Sequence, residues 1–214
     1  MRLDHVSYVA SHDQISDVVN RIGSQIRTTF VDGGIHPKFG TRNFTAPLLN
    51  GQYIEVVCPL NHPATEVTPF GRAVKKKTEE GGGWLTWVIA VDNIKFIEEI
   101  IGRNATDGQR KKPDGTELNW KQLGVLDTIN DASLPFYVEW ISKNHPSLDG
   151  KPVASISSIN ISSNQEQGSV WENLKEIKKS KKFNLTITPP GKNEGQVGIT
   201  GIELDINSNK VLII

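Results

Sequence analysis

Tyr53-Ile54-Glu55-Val56-Val57 returns 84 residues later as Tyr137-Val138-Glu139-Trp140-Ile141, an apolar strand pattern broken each time by a carboxylate two residues after a tyrosine. Working outward from these stretches, the elements before them repeat as well. Asp13 and Asp92, Ile15 and Ile94, and Gly23 and Gly102 share an offset of 79, so five extra loop residues separate the two alignments. A duplication on this scale decides the fold class before any single residue does.

Each copy reads as a β-α-β-β-β module. Residues 3–10 have a strand pattern, and residues 13–22 have a helical one with Ile15, Val18, Val19 and Ile22 on one stripe, stopped by Gly23. The turn-rich Asp32-Gly33-Gly34-Ile35-His36-Pro37 follows, and then strands at 41–48 and 52–58 flank the hairpin signal Asn50-Gly51. A connector over 59–82 carries a short helix at 72–79 and ends at Gly81-Gly82-Gly83. The order then begins again, with a strand at 84–91 and a helix capped by Asp92 that buries Ile94, Ile97, Ile100 and Ile101. A loop at 111–116 and strands near 118–126 and 135–141 complete the second copy. The prediction is an α+β domain over 1–146, made of modules 1–58 and 83–146. The Pro/Gly/Ser-rich stretch 145–152 marks a boundary. Beyond it, residues 152–214 read as a third, degenerate βαβββ-like module, with strands at 155–161, 183–188, 197–206 and 211–214 and a helix at 169–178.

Composition narrows the function classes. Among 214 residues, 24 Lys and Arg balance 24 Asp and Glu, so no overall field favours nucleic acid or an anionic membrane. No stretch approaches the roughly 20 apolar residues of a membrane span, and the N-terminal Met1-Arg2-Leu3-Asp4-His5 lacks the apolar core of a signal peptide. One cysteine, Cys58, excludes an intrachain disulfide and a Cys-based zinc cage, and its place at the end of an apolar strand reads as a packed thiol. The expectation is a soluble, cytoplasmic protein that acts on a small molecule.

Alternation along strands puts Leu3, His5, Ser7 and Val9 on one face, Tyr53, Glu55 and Val57 on another, and Tyr137, Glu139 and Ile141 on a third. Burying a carboxylate costs several kcal/mol unless it is paired, hydrogen-bonded or bound to metal, so glutamates in two equivalent strands point to a lined cavity. If the modules pack as symmetric halves, His5, Glu55 and Glu139 meet across one cleft and offer one imidazole and two carboxylates to a divalent cation. At the offset of 79 the counterpart of His5 is Trp84, which ligates nothing, and Thr86 on the same face offers a hydroxyl. The rival reading is a polar cleft whose members bond to one another without metal.

Further candidates are His36 at the cleft mouth, whose bland reading is a solvated turn, and Thr41 and Asn43 as inward polar positions. Trp84 and Trp120 are candidates to stack on a flat ligand, against ordinary packing. His12, His62 and His145 are assigned no role. No phosphate loop, nucleophile elbow or dinucleotide fingerprint is present, since Gly81-Gly82-Gly83 precedes a strand instead of following one.

Five stretches together resemble the vicinal oxygen chelate superfamily, and within it the glyoxalase-like domain proteins, a mostly bacterial group. They are Leu3-Asp4-His5-Val6-Ser7-Tyr8, residues 33–43 from Gly33 to Asn43, Tyr53-Ile54-Glu55-Val56-Val57, Pro69-Phe70-Gly71-Arg72-Ala73, and Pro135-Phe136-Tyr137-Val138-Glu139-Trp140. The resemblance implies paired modules curled into a mixed-sheet cup, with metal ligands on the first and last strands of each. Carried over, the ligands are His5, Glu55 and Glu139, with Trp84 where a fourth is usual and Glu139 as the catalytic base. It implies a lyase, isomerase or dioxygenase-type enzyme using Zn, Ni, Mn or Fe on a small oxygen-bearing substrate. It equally accommodates a metal-free binder that sequesters a small molecule, as the drug-binding members of the superfamily do, or a structural or regulatory protein with a vestigial cup. Members often complete their cups as homodimers, although two modules in one chain suffice.

Overall fold

A computed structural model describes residues 1–164 and 184–214. The first module is β1 (Arg2–Val9), α1 (Ile15–Ile26), β2 (Val31–His36), β3 (Thr41–Leu48) and β4 (Gln52–Pro59). A connector holds α2 (Pro63–Val67) and α3 (Pro69–Glu79). The second module is β5 (Gly83–Ala90), α4 (Lys95–Ile101), β6 (Thr106–Lys111), β7 (Glu117–Leu123), the short helix α5 (Val125–Asn130) and β8 (Phe136–Trp140). The chain continues with β9 (Ala154–Ser162), β10 (Asn184–Thr188), β11 (Gly198–Ile206) and β12 (Asn209–Ile213).

The two modules have one topology. Their strands run in the orders β1-β4-β3-β2 and β5-β8-β7-β6, with the first and last strands parallel in each. Antiparallel pairing of β1 with β5 and a contact between β2 and β6 close the eight strands into a barrel. Closure removes the sheet edges that an open curved sheet would expose. The C-terminal strands form a separate sheet of order β10-β9-β11-β12, in which β9 runs parallel to β10. Its chain order echoes the modules, but its strand order does not. The helix expected at 169–178 lies outside the described residues.

Local signals explain most of these elements. Asn50 and Gly51 both take left-handed φ, 63° and 70°, as a tight hairpin between β3 and β4 requires. In α1 the stripe Ile15, Ile22 and Ile26 is buried, and the helix runs through Gly23 to a left-handed C-cap at Arg27. A single glycine costs a helix about 1 kcal/mol. Burial of an isoleucine one turn further on returns about 1.5–3 kcal/mol, so the helix outlasts the expected stop.

Two segments depart from expectation. Asp32-Gly33-Gly34 is part of strand β2 and not a turn, and β6 is a strand to which the sequence reading assigned no element, overlapping the expected loop at 111–116 only at Lys111. A Cβ on Gly33 would sit 2.1 Å from Asn43 Oδ1 and 2.9 Å from Arg110 Nη1, so this glycine makes room inside the barrel for side chains of β3 and β6. Polar and glycine content imitates a turn, whereas the cause is close approach between strands.

The outer faces of the barrel strands pack with α1, α4 and the C-terminal sheet in one hydrophobic cluster that includes Leu3, Val6, Ile22, Ile54, Trp87, Ile89, Ile156 and Leu204. A second cluster, with Val9, Val57, Val88, Ala90, Phe136 and Val138, fills part of the barrel interior and extends under α3. Among the described residues no helix is long and apolar enough to cross a membrane.

Candidate functional site inside the barrel

Register decides which side chains enter the barrel. In the parallel pair β1–β4, His5 lies opposite Tyr53 and Ser7 opposite Glu55. In β5–β8, Val88 lies opposite Phe136 and Ala90 opposite Val138. In both pairs the partners are 48 residues apart, so pairing alone sets no offset between the modules. The pocket lining does, because Tyr53 and Glu55 enter it with Phe136 and Val138, 83 residues on, which puts Val138 at the position of Glu55 and Val88 at that of His5. The Tyr-x-Glu repeat has an offset of 84 and is therefore one residue out of phase. A slip of one residue sends every side chain to the opposite face. Tyr53 and Glu55 thus line the central pocket, as do Phe136, Val138 and Trp140, whereas Tyr137 packs in the outer cluster.

Glu139 follows Tyr137 outward. Its Oε2 accepts the backbone N–H of Ile94 at 2.8 Å, capping the start of α4, a role that had been expected of Asp92. It borders a shallow depression with Met1, Arg2 and Asp92, apart from the barrel interior. The metal-ligand and base roles read for Glu139 are therefore corrected by its position.

A bulge reshapes β1 in the same way. Leu3 pairs with Ile89 and His5 with Val88, so Asp4 is the extra residue. Leu3 consequently turns to the outer cluster instead of sharing a face with His5, and Asp4 lies beside His5. A second irregularity, between Ser7 and Tyr8, skips Leu85 on β5. It turns Trp84 outward, where its ring meets Tyr8 edge-on at 5.2 Å. Trp84 is neither a counterpart of His5 nor a stacking surface in the pocket. Thr86 is buried opposite Ser7, and its hydroxyl donates to the carbonyl of Trp87 without lining the pocket.

The pocket is lined by the polar His5, His36, Asn43, Glu55, Arg110 and Gln122 and by the apolar Phe39, Phe70, Phe136, Val138, Trp120 and Trp140, with His36 set against the rings of Phe39, Phe70 and Trp120. The volume open to the centre of a water molecule is about 30 Å³, so the site suits a small occupant. Glu55, 4% exposed, accepts 2.6 Å hydrogen bonds from Ser7 Oγ and Asn43 Nδ2, one on each oxygen. Burial pushes its carboxyl pKa up, but the neighbouring imidazoles and these two donors outweigh burial and hold it below the ordinary value. His36 is a buried member of the pocket and not a residue of a solvated mouth. Its Nδ1 lies 2.8 Å from Thr41 Oγ1 and its Nε2 4.0 Å from Glu55 Oε1. Burial lowers its pKa to about 4, with Arg110 and His5 adding to the effect and Glu55 opposing it. His36 is neutral at pH 7.

His5 is held from behind. Its Nδ1 lies 3.0 Å from Asp4 Oδ2, its ring stacks on Tyr53 at 4.3 Å, and its Nε2 faces Glu55 Oε2 at 4.0 Å. Asp4 is fully buried and also receives Trp140 Nε1 at 3.1 Å, His145 Nε2 at 3.1 Å and Arg2 Nη1 at 2.7 Å. Burial raises its pKa, but the hydrogen bonds and charges of His145 and His5 prevail and keep it well below the usual carboxylate range. His145, given no role from sequence, thus supports the site at one remove.

Of the sequence candidates, the fold brings together His5, Glu55, His36, Asn43 and Trp120, with Thr41 behind His36. It leaves out Glu139, Trp84 and Thr86. Sequence reasoning missed Arg110, Asp4 and Gln122. The one available signal for Arg110 was the alternation Gly108-x-Arg110, hidden in a stretch rich in charge.

The metal that the resemblance implies does not fit this donor set. His5, His36 and Glu55 are on paper two histidines and a carboxylate. Both Glu55 oxygens, however, are already engaged by Ser7 and Asn43, and Arg110 Nη1 lies 3.4 Å from Asn43 Oδ1, bringing a buried cation to the same cluster. The second half offers Val88 and Val138 at the matching corners. Among the described residues no group of three or more His, Cys, Asp or Glu is arranged to hold a metal ion.

Comparison with solved structures finds the same architecture. A hypothetical protein from Staphylococcus aureus is 19% identical, with 81% of this chain and 74% of that one covered and a TM-score of 0.60, a likeness of fold alone. A methylmalonyl-CoA epimerase from Mycobacterium tuberculosis is 13% identical over 64% of this chain and 85% of its own, with a TM-score of 0.43. A hypothetical protein from Bacillus halodurans is 16% identical over 67% and 95%, with a TM-score of 0.41. Comparison with curated proteins finds no match. The family model described as a glyoxalase-like domain matches residues 3–177. That span contains both barrel modules and all the pocket residues, and the chain belongs to the glyoxalase-like domain family of the vicinal oxygen chelate superfamily.

Proposed function

We propose that this protein binds a small organic molecule in the barrel pocket without a divalent metal. The observation that carries this reading is the unequal pair of half-sites: β1 and β4 bring His5 and Glu55 into the pocket, whereas β8 brings Phe136 and Val138. Its polar groups would orient the ligand, and its aromatic side chains would take the ligand's apolar body. A barrel closed within one chain supports a pocket that needs no second copy to complete it.

Trp120 and Trp140 border the pocket and provide the readout. With protein kept in chelator, a ligand should quench tryptophan fluorescence saturably and be recovered chemically unchanged. Quenching that appears only after metal is added, or recovery of a converted product, would overturn the reading. The second reading is a metal-dependent lyase, isomerase or dioxygenase-type enzyme. It is favoured by the approach of His5 Nε2 and His36 Nε2 to within 4.0 Å of Glu55, and direct metal titration separates it from the first.

A further inference from the structure

Arg110 is 2% exposed and lines the central pocket, yet its guanidinium is mostly unsatisfied. Nη1 donates to Asn43 Oδ1 at a long 3.4 Å, and Nε and Nη2 have no hydrogen-bond partner. A buried cation with unused donors is costly, because each lost water contact has to be replaced. Glu55, the carboxylate that lines the same pocket, is turned to Ser7 and Asn43, and Asn43 links it to the guanidinium.

The free atoms have a shape. Nε–H and Nη2–H lie on one edge of the guanidinium plane and point in parallel, the arrangement that a carboxylate matches with two hydrogen bonds. Asn43 Oδ1 meets the opposite side of the fork, at Nη1. The small pocket volume and the nearby anionic Glu55 disfavour a dianion such as phosphate. Phe39, Phe70, Phe136 and Trp120 line the same pocket and suit an apolar remainder.

We infer that the ligand of this pocket is a small monocarboxylate, its carboxylate received side-on by Nε and Nη2 of Arg110 and its apolar body set against the aromatic side chains. The inference rests on the binding function proposed above and names the ligand class for the same site. Asn43 then has two tasks, fixing Glu55 and aligning Arg110.

The test is a titration of the full chain with propionate and benzoate and with the matched neutral compounds propionamide and benzamide, followed by tryptophan fluorescence and by saturation-transfer NMR. The carboxylates should bind at least about tenfold more tightly than their amides, a difference of the size expected when a charged pair is exchanged for a neutral contact. Arg110→Met should abolish this preference, and Arg110→Lys, which keeps the charge and loses the fork, should retain part of it. The comparison of acids with amides is made on the unaltered protein, so it stands even where a variant fails to fold. Equal binding of acid and amide, or a preference that survives Arg110→Met, overturns the inference and leaves the pocket's binding role intact. Absence of binding by all four compounds likewise overturns the inference, while the binding function is decided separately by the quenching test in chelator.

Discussion

The two halves of the barrel share strand order, parallel pairing and register, yet their inner faces differ in kind. The first half turns His5, Ser7, Asn43 and Glu55 inward, and the second turns Val88, Ala90, Phe136 and Val138 inward at the matching strands. The second half adds its polar groups, Arg110 and Gln122, from strands β6 and β7. Backbone topology is thus repeated while site chemistry is concentrated on one side. The lesson is that duplication of fold does not carry duplication of function, because one residue of phase converts a carboxylate in the pocket into a helix cap outside it.

The comparison is tested most strongly at Glu55. Glu55→Leu removes the anion that Ser7 and Asn43 hold and leaves Arg110 as an uncompensated buried cation. The expected loss is about 4 kcal/mol of stability, read by urea unfolding. A loss below about 1 kcal/mol would mean that Glu55 and Arg110 do not share one electrostatic cluster.

Acid sensitivity sharpens the same contrast, because the titrating groups of the pocket lie in the first half. With the folded pKa of His36 at about 4 and an ordinary value of 6.5, the unfolded chain takes up the proton first as pH falls. Stability contributed through His36 is therefore present above about pH 6.5 and is lost between there and about pH 4, amounting to about 3 kcal/mol. Below that window the depressed carboxyls of Asp4 and Glu55 add further losses. Unfolding curves at pH 7 and pH 4.5 should differ accordingly, and His36→Gln should flatten the difference. An unchanged pH slope in that variant would place the sensitivity elsewhere.

The smallest effect belongs to the other member of the Tyr-x-Glu pair. Glu139→Ala removes the acceptor for Ile94 N–H, a loss of about 1 kcal/mol, and leaves ligand binding as it was. Loss of binding in this variant would return Glu139 to the site.

The repeat itself was legible, because hydrophobic periodicity and the Asn50-Gly51 hairpin report directly on local structure. His5 and Glu55 were legible as carboxylate and imidazole within apolar strands. What failed was phase. Sequence identity paired Tyr53 with Tyr137, but Phe136 is the residue that enters the pocket with Tyr53 while Tyr137 packs outside, and the bulge at Asp4 and the skip at Leu85 are visible only once strands are laid side by side. Arg110 escaped because a charged strand with a glycine resembles a loop until its neighbours bury it. His36 was legible as a candidate but not as a buried one, because its turn-like context, Gly33-Gly34, answers to crowding by Asn43 and Arg110.

The central claim is that one half-site of polar groups acts here without a divalent cation, and direct metal titration tests it. Protein purified without added metal or chelator, analysed for metal content and then titrated calorimetrically with Ni, Zn, Mn and Fe(II), should show no stoichiometric site that depends on His5 and Glu55. One equivalent of tightly bound metal, lost in both His5→Ala and Glu55→Gln, would contradict it.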